Sequence, residues 1–152
     1  MAIAAQDAAD RVAQLVVLTE RLTELIAGQA QAFEQHHPQA AAALVDETAK
    51  LANLYRHESA RVRADPGLIA GAPFADRTRL VRATEAFDAV LARQARALAA
   101  ARFVTEGLVR AIAEEVAAQR EKGDAAAYGP EGEPAAKRNS AAAKAITLNK
   151  RA

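Results

Sequence analysis

The residues whose types and spacing could do chemistry are few. Glu34 and His37 stand in the Glu-x-x-His spacing that di-metal carboxylate bundles use to put two ligands on one helix face. Such a centre also needs a second copy of the motif and two further glutamates, and the chain has no second copy. The remaining histidines are His57 and His36, and His36 with His37 precedes a proline turn, where polar residues are expected in any case. Glu114 and Glu115 are adjacent, so in a helix they point in different directions, and a solvated face explains them better than acid–base work. Cysteine is absent, which excludes disulfides and thiolate chemistry. Neither a Gly-x-x-x-x-Gly-Lys nor a Gly-x-Gly-x-x-Gly loop is present to offer backbone N–H groups to a phosphate. The expectation is a protein that is not an enzyme, with no catalytic residue, cofactor site or metal ligand.

What remains is the chemistry of apolar surface. The stretch from Asp76 to Lys122 reads as one long amphipathic helix. Alternating steps of four and three trace a seam through Leu80, Thr84, Phe87, Leu91, Gln94, Leu98, Ala101, Thr105, Leu108, Ile112, Glu115 and Gln119. Val81, Val90, Val104, Val109 and Val116 sit beside the seam and widen it, as suits a helix packed against two neighbours. At a rise of 1.5 Å per residue this helix spans roughly 70 Å.

The elements that must position this helix follow from the rest of the chain. Of its 152 residues 43 are alanine, the strongest helix former but one that buries little area, so thin and closely packed helices are expected. Asp7 or Asp10 can cap a first helix whose seam runs Ala8, Val12, Leu15, Leu18, Leu22, Leu25, Ile26, Gln29 and Phe33, with Gly28 as a weak point. Pro38 suits the first position of a second helix, with Leu44, Thr48, Leu51, Leu54, Tyr55, Glu58 and Val62 on one side. The connection at His36 and His37 is short enough to make the two an antiparallel hairpin. Residues 64 to 73 hold two prolines and two glycines and read as a loop, with Leu68 and Ile69 tucked onto the end of the bundle.

The predicted fold class is therefore all-α: an elongated three-helix antiparallel bundle with a long third helix and a flexible C-terminal tail. The expected divisions are a helical bundle over residues 1–122, with helices at about 7–36, 38–63 and 74–122, and a flexible basic tail over 123–152. The first two helices are about 25 to 30 residues long, so the surplus of the third, roughly 30 Å, is expected to project past the His36–Pro38 turn. That surplus carries Phe103, Val104, Leu108, Val109, Ile112 and Val116, an apolar stripe of the kind that marks an interaction site. The tail, a second copy or a partner helix could cover it, unless the helix breaks at Gly107 and leaves no surplus.

Charge sets limits on the partners. The net charge of +1 argues against a dedicated nucleic-acid binder. Lys137, Arg138, Lys144, Lys150 and Arg151 make residues 137–152 basic, while the preceding residues hold 15 basic groups against 19 acidic ones. Arginines 77, 79, 82, 93, 96, 102 and 110 on the long helix are interleaved with Glu85, Asp88 and Glu106, a pattern for solubility and i,i+4 pairing. No basic leader with an apolar core and no 18-residue apolar run is found, so the expectation is a soluble protein without a cleaved signal or stable membrane insertion.

Glu106-Gly107-Leu108-Val109, then Ile112 and Val116, then Tyr128-Gly129-Pro130-Glu131-Gly132 resemble the C-terminal pattern of the FlgN family of flagellar type III export chaperones. In that family an Asn-Gly-x-Leu-Ile-like stretch on the last long helix precedes a Tyr-Gly-x-x-Gly segment. Glu106 stands at the usual asparagine, and the closing run Lys144 to Ala152 has no counterpart in the pattern. The resemblance implies a cytoplasmic, non-enzymatic chaperone that holds hook–filament junction proteins and brings them to the flagellar export machinery. It implies further that Leu108, Val109, Ile112 and Val116 take a client helix and that Tyr128 helps close over it. Two alternatives use the same amphipathic helices: a phasin-like coat on a lipid or polyester granule, and a homodimeric helical adapter.

Overall fold

The computed structural model describes residues 2–127, and these are all-α, with five helices and no strand among them. The first helix, α1 (Ala8–Glu34), starts where Asp7 leaves the extended region and its carboxylate accepts the Asp10 N–H at 2.8 Å. Asp7 is thus the cap; the carboxylate of Asp10 accepts from the Gln6 N–H and the Gln14 amide instead. Val12, Leu15, Val16, Thr19, Leu22, Leu25 and Ile26 are all buried, a face wider than one neighbour could cover. The Thr19 hydroxyl satisfies itself by donating to the Leu15 carbonyl at 2.7 Å.

The end of α1 explains the histidine pair. The His37 N–H donates to the Ala32 carbonyl at 2.8 Å and the His36 N–H to the Phe33 carbonyl at 3.1 Å. This is a Schellman closure, and it places His36 in the left-handed region at φ 59°, where glycine is the usual residue. Pro38 then opens α2 (Pro38–Ala43) at a position where its missing N–H costs nothing. The expected second helix is divided: α2 stops at Leu44 and α3 (Val45–Ala64) begins after it. Leu44 donates its N–H to the Ala41 carbonyl, a tightened turn, while its side chain lies over Gly28. A Cβ at Gly28 would approach Leu44 Cδ1 at 3.1 Å, so the glycine gives that side chain its seat. The expected loop also holds one short helix, α4 (Gly67–Ala70), from which Ile69 packs with Val12, Val16, Ala72 and Leu80.

The last helix is α5 (Phe74–Ala127), 54 residues against 27 in α1. Within the bundle α3 runs antiparallel to α1, as the pairs Arg11–Glu58 and Arg21–Glu47 require. The pairs Glu20–Arg79 and Glu34–Arg93 set α5 parallel to α1. Arg79 and Arg93 therefore tie helices together, beyond the i,i+4 pairing expected of them. Leu22, Ile26 and Phe87 form the second core cluster, with Tyr55 tilted against Phe87 at a ring separation of 5.0 Å. A polar relay crosses the three helices nearby: Gln94 donates to Gln29 at 2.6 Å, Gln29 to Thr48 at 3.0 Å, and Thr48 to the Leu44 carbonyl at 2.6 Å.

The buried line of α5 differs from the expected seam at alternate positions. Leu80, Phe87, Gln94 and Ala101 turn inward, but between them lie Ala83, Val90 and Ala97, while Leu91 and Leu98 are exposed. The small alanines let the helices approach closely, which a leucine in the same place would prevent. Helix α5 is unbroken at Gly107 and continues through Gly123 to Ala127, past the expected stop. A glycine inside a helix costs only about 1 kcal/mol, and the alanines that follow Gly123 offset it. The chain divides into two compact units that meet between Thr105 and Glu106.

Candidate functional site

Every residue of α5 from 102 to 117 is exposed. Within the second unit Leu108 is 60% exposed, Val109 62%, Ile112 55% and Val116 44%. Leu108, Ile112 and Val116 follow one another at steps of four, and Val109 precedes Val116 by seven, so these four share one face of the helix. In the sequence, steps of seven from Leu80 pass through Phe87, Gln94 and Ala101 to Leu108. In the first unit Phe87 is buried and Leu80, Gln94 and Ala101 are half-buried; in the second, Leu108 is exposed.

Phe103 does not belong to this group. It is 77% exposed and lies in the first unit, as does Val104, 57% exposed. Tyr128, expected to close over the stripe, lies outside the described residues. Gly107 leaves open space where a side chain would be, with nothing within 4 Å of an added Cβ. The face is bordered by Glu115, whose carboxylate accepts from Gln119 at 3.0 Å.

Elsewhere the charged groups are committed to structure. Both Glu34 oxygens accept from the Arg93 fork, at 2.8 and 2.6 Å, which with the nearby Arg96 charge holds the Glu34 carboxyl below the usual carboxylate range. That carboxylate is engaged in a bidentate pair across helices, away from any role beside His37. Among the described residues no group of three or more His, Asp or Glu side chains is placed to hold a metal ion.

Glu58, placed on the apolar side of its helix by the sequence pattern, is 0% exposed. Burial pushes its carboxyl up, but the Ile3 N–H at 3.0 Å, the Arg61 guanidinium at 3.1 Å and the His57 ring outweigh that and keep it below its ordinary value. Arg11 completes the set at 3.1 Å. Sequence reasoning missed this cluster; its one signal was a glutamate among apolar residues at helical spacing.

No helix among the described residues is long and apolar enough to cross a membrane. No protein-family model matches the chain, and no solved structure matches it. The chain is 62% identical over 152 residues, the full length of both proteins, to the flagellar basal-body protein FlbY of Caulobacter vibrioides. Identity of that extent, with no part of either chain left over, means that the chain belongs to the family of the flagellar basal-body protein FlbY.

Proposed function

We propose that this chain serves flagellum assembly as a type III export chaperone, holding hook–filament junction proteins in the cytoplasm and delivering them to the export machinery. A helix of the client lies along Leu108, Val109, Ile112 and Val116 of α5. The observation that carries this reading is the open apolar face of the second unit, on which Leu108 is 60% exposed and Ile112 55%. Covering four such residues with a partner helix would contribute on the order of 1 kcal/mol or more for each. The relative's name, flagellar basal-body protein, supports a flagellar setting. The likeness of Glu106-Gly107-Leu108-Val109 to the FlgN-type pattern supports the choice of client within it.

Titration calorimetry with a C-terminal helical fragment of a hook–filament junction protein tests the reading. The intact chain binds the fragment one to one, Ile112→Asp loses binding at least tenfold, and Phe103→Asp, in the first unit, binds as the native chain does. A native chain that ignores the fragment but grows in mass with concentration, in a way Ile112→Asp abolishes, would replace the client with a second copy of the chain.

A further inference from the structure

A groove of about 460 Å³ runs between α1 and α3, lined by Ala13, Val17, Leu18, Leu51 and Leu54, with Arg21 at one end. Val17, at its centre, is 63% exposed, a large apolar side chain with no counterpart above it. One residue from outside the helices also lines the groove: Ile3, from the extended lead that precedes α1.

The lead is seated by its backbone. The Ile3 N–H donates to Glu58 Oε1 at 3.0 Å, and the Ala4 carbonyl accepts from Gln14 Nε2 at 3.1 Å. Further on, the Gln6 N–H donates to Asp10 Oδ2 at 3.0 Å. One buried acceptor and one amide donor on the helices thus take the donor and acceptor of consecutive residues, while an aliphatic side chain points into the apolar lining. None of these contacts depends on which residue carries the backbone groups, and only the Ile3 position calls for an aliphatic side chain. Arg11 and Arg61 hold the Glu58 carboxylate that accepts the Ile3 N–H.

We propose that the α1–α3 groove is a binding site for an extended aliphatic peptide segment, and that the chain's own lead is a strap that lies along it, with Ile3 in its lining, until a competing segment displaces it. The ligand class follows from the occupant: a β-branched or branched aliphatic residue whose N–H meets Glu58 and whose following carbonyl meets Gln14. The site is separate from the open face of α5, so it stands whether or not that face takes a client.

The probe is a synthetic peptide, acetyl-Ala-Ile-Ala-Ala-Gln-amide, added to the full chain while amide chemical shifts are followed at Ala13, Val17, Leu51 and Leu54. In Ile3→Ser, where the strap no longer offers the groove an aliphatic side chain, the peptide shifts these amides in a saturable way. In the native chain it does so at least tenfold more weakly. Equal responses in the two proteins, or no response in either while the helix signals stay intact, would overturn the proposal. Hydrogen exchange in the native chain supplies a check that needs no variant. The Ile3 amide exchanges at least tenfold more slowly than an unstructured amide; exchange at the unstructured rate overturns the strap.

Discussion

Arg11 of α1 and Glu58 of α3 are 47 residues apart in the chain and 3.1 Å apart in space, with 10% and 0% of their side chains exposed. A charged pair at this depth gives little net stability when intact, yet removing one partner strands the other without water. Glu58→Ala is therefore expected to destabilise the bundle by about 3 kcal/mol, read from urea unfolding followed by circular dichroism. The change leaves Arg11, Arg61 and the Ile3 N–H without their common acceptor.

The same carboxylate sets an acid limb. Its pKa is lower in the folded chain than in the unfolded one. Its contribution is therefore complete above the ordinary carboxylate pKa, about 4, and is lost as pH falls through the folded value. Native unfolding free energy should decline below about pH 5, and Glu58→Gln should flatten that decline. Asp10 and Glu34, whose pKa values are also lowered, act in the same direction and leave a residual slope.

His36→Gly should stabilise the chain by about 1 kcal/mol. A non-glycine residue at φ 59° carries a steric cost that glycine does not, and the imidazole is exposed to solvent. A thermal or urea unfolding series with His36→Gly and His36→Val separates the effect of conformation from loss of the ring, since valine should lower stability where glycine raises it.

The two interior glycines should answer differently to alanine. Gly107→Ala meets open space, so it should add about 1 kcal/mol of helix stability, visible as slower amide exchange around residues 104–111. At Gly28 the same gain is opposed by Leu44 Cδ1 at 3.1 Å, so Gly28→Ala should stabilise less than Gly107→Ala in its own segment.

How far the sequence could be read depended on whether local or distant partners decided each position. Asp7, Pro38 and the proline–glycine cluster at 65–73 act within a few residues, and the breaks they announce are present. The heptad line Leu80, Phe87, Gln94 and Ala101 was legible because every seventh residue returns to nearly the same side. Which alternate line joins it was not. Hydrophobicity favours Leu91 and Leu98, but close approach of neighbouring helices selects Ala83 and Ala97, and that distance is set by the other helices. The break at Leu44 has the same origin, since its cause is the seat at Gly28 on another element. Arg11 and Glu58 could not be paired in advance, because nothing within reach of either residue along the chain names its partner. At the candidate site, periodicity found Leu108, Ile112 and Val116. It also admitted Phe103 and Val104, which are apolar and exposed but lie in the first unit.

Amide hydrogen exchange over residues 106–127, with and without a C-terminal helical fragment of a hook–filament junction protein, tests the central claim most directly. The account predicts weak protection around Leu108, Ile112 and Val116 in the free chain, rising at least tenfold when the fragment is added, while the already protected amides of α1 stay as they were. Full protection of that stretch in the free chain, unchanged by the fragment, would contradict the account, because the face would then be covered before any client arrives.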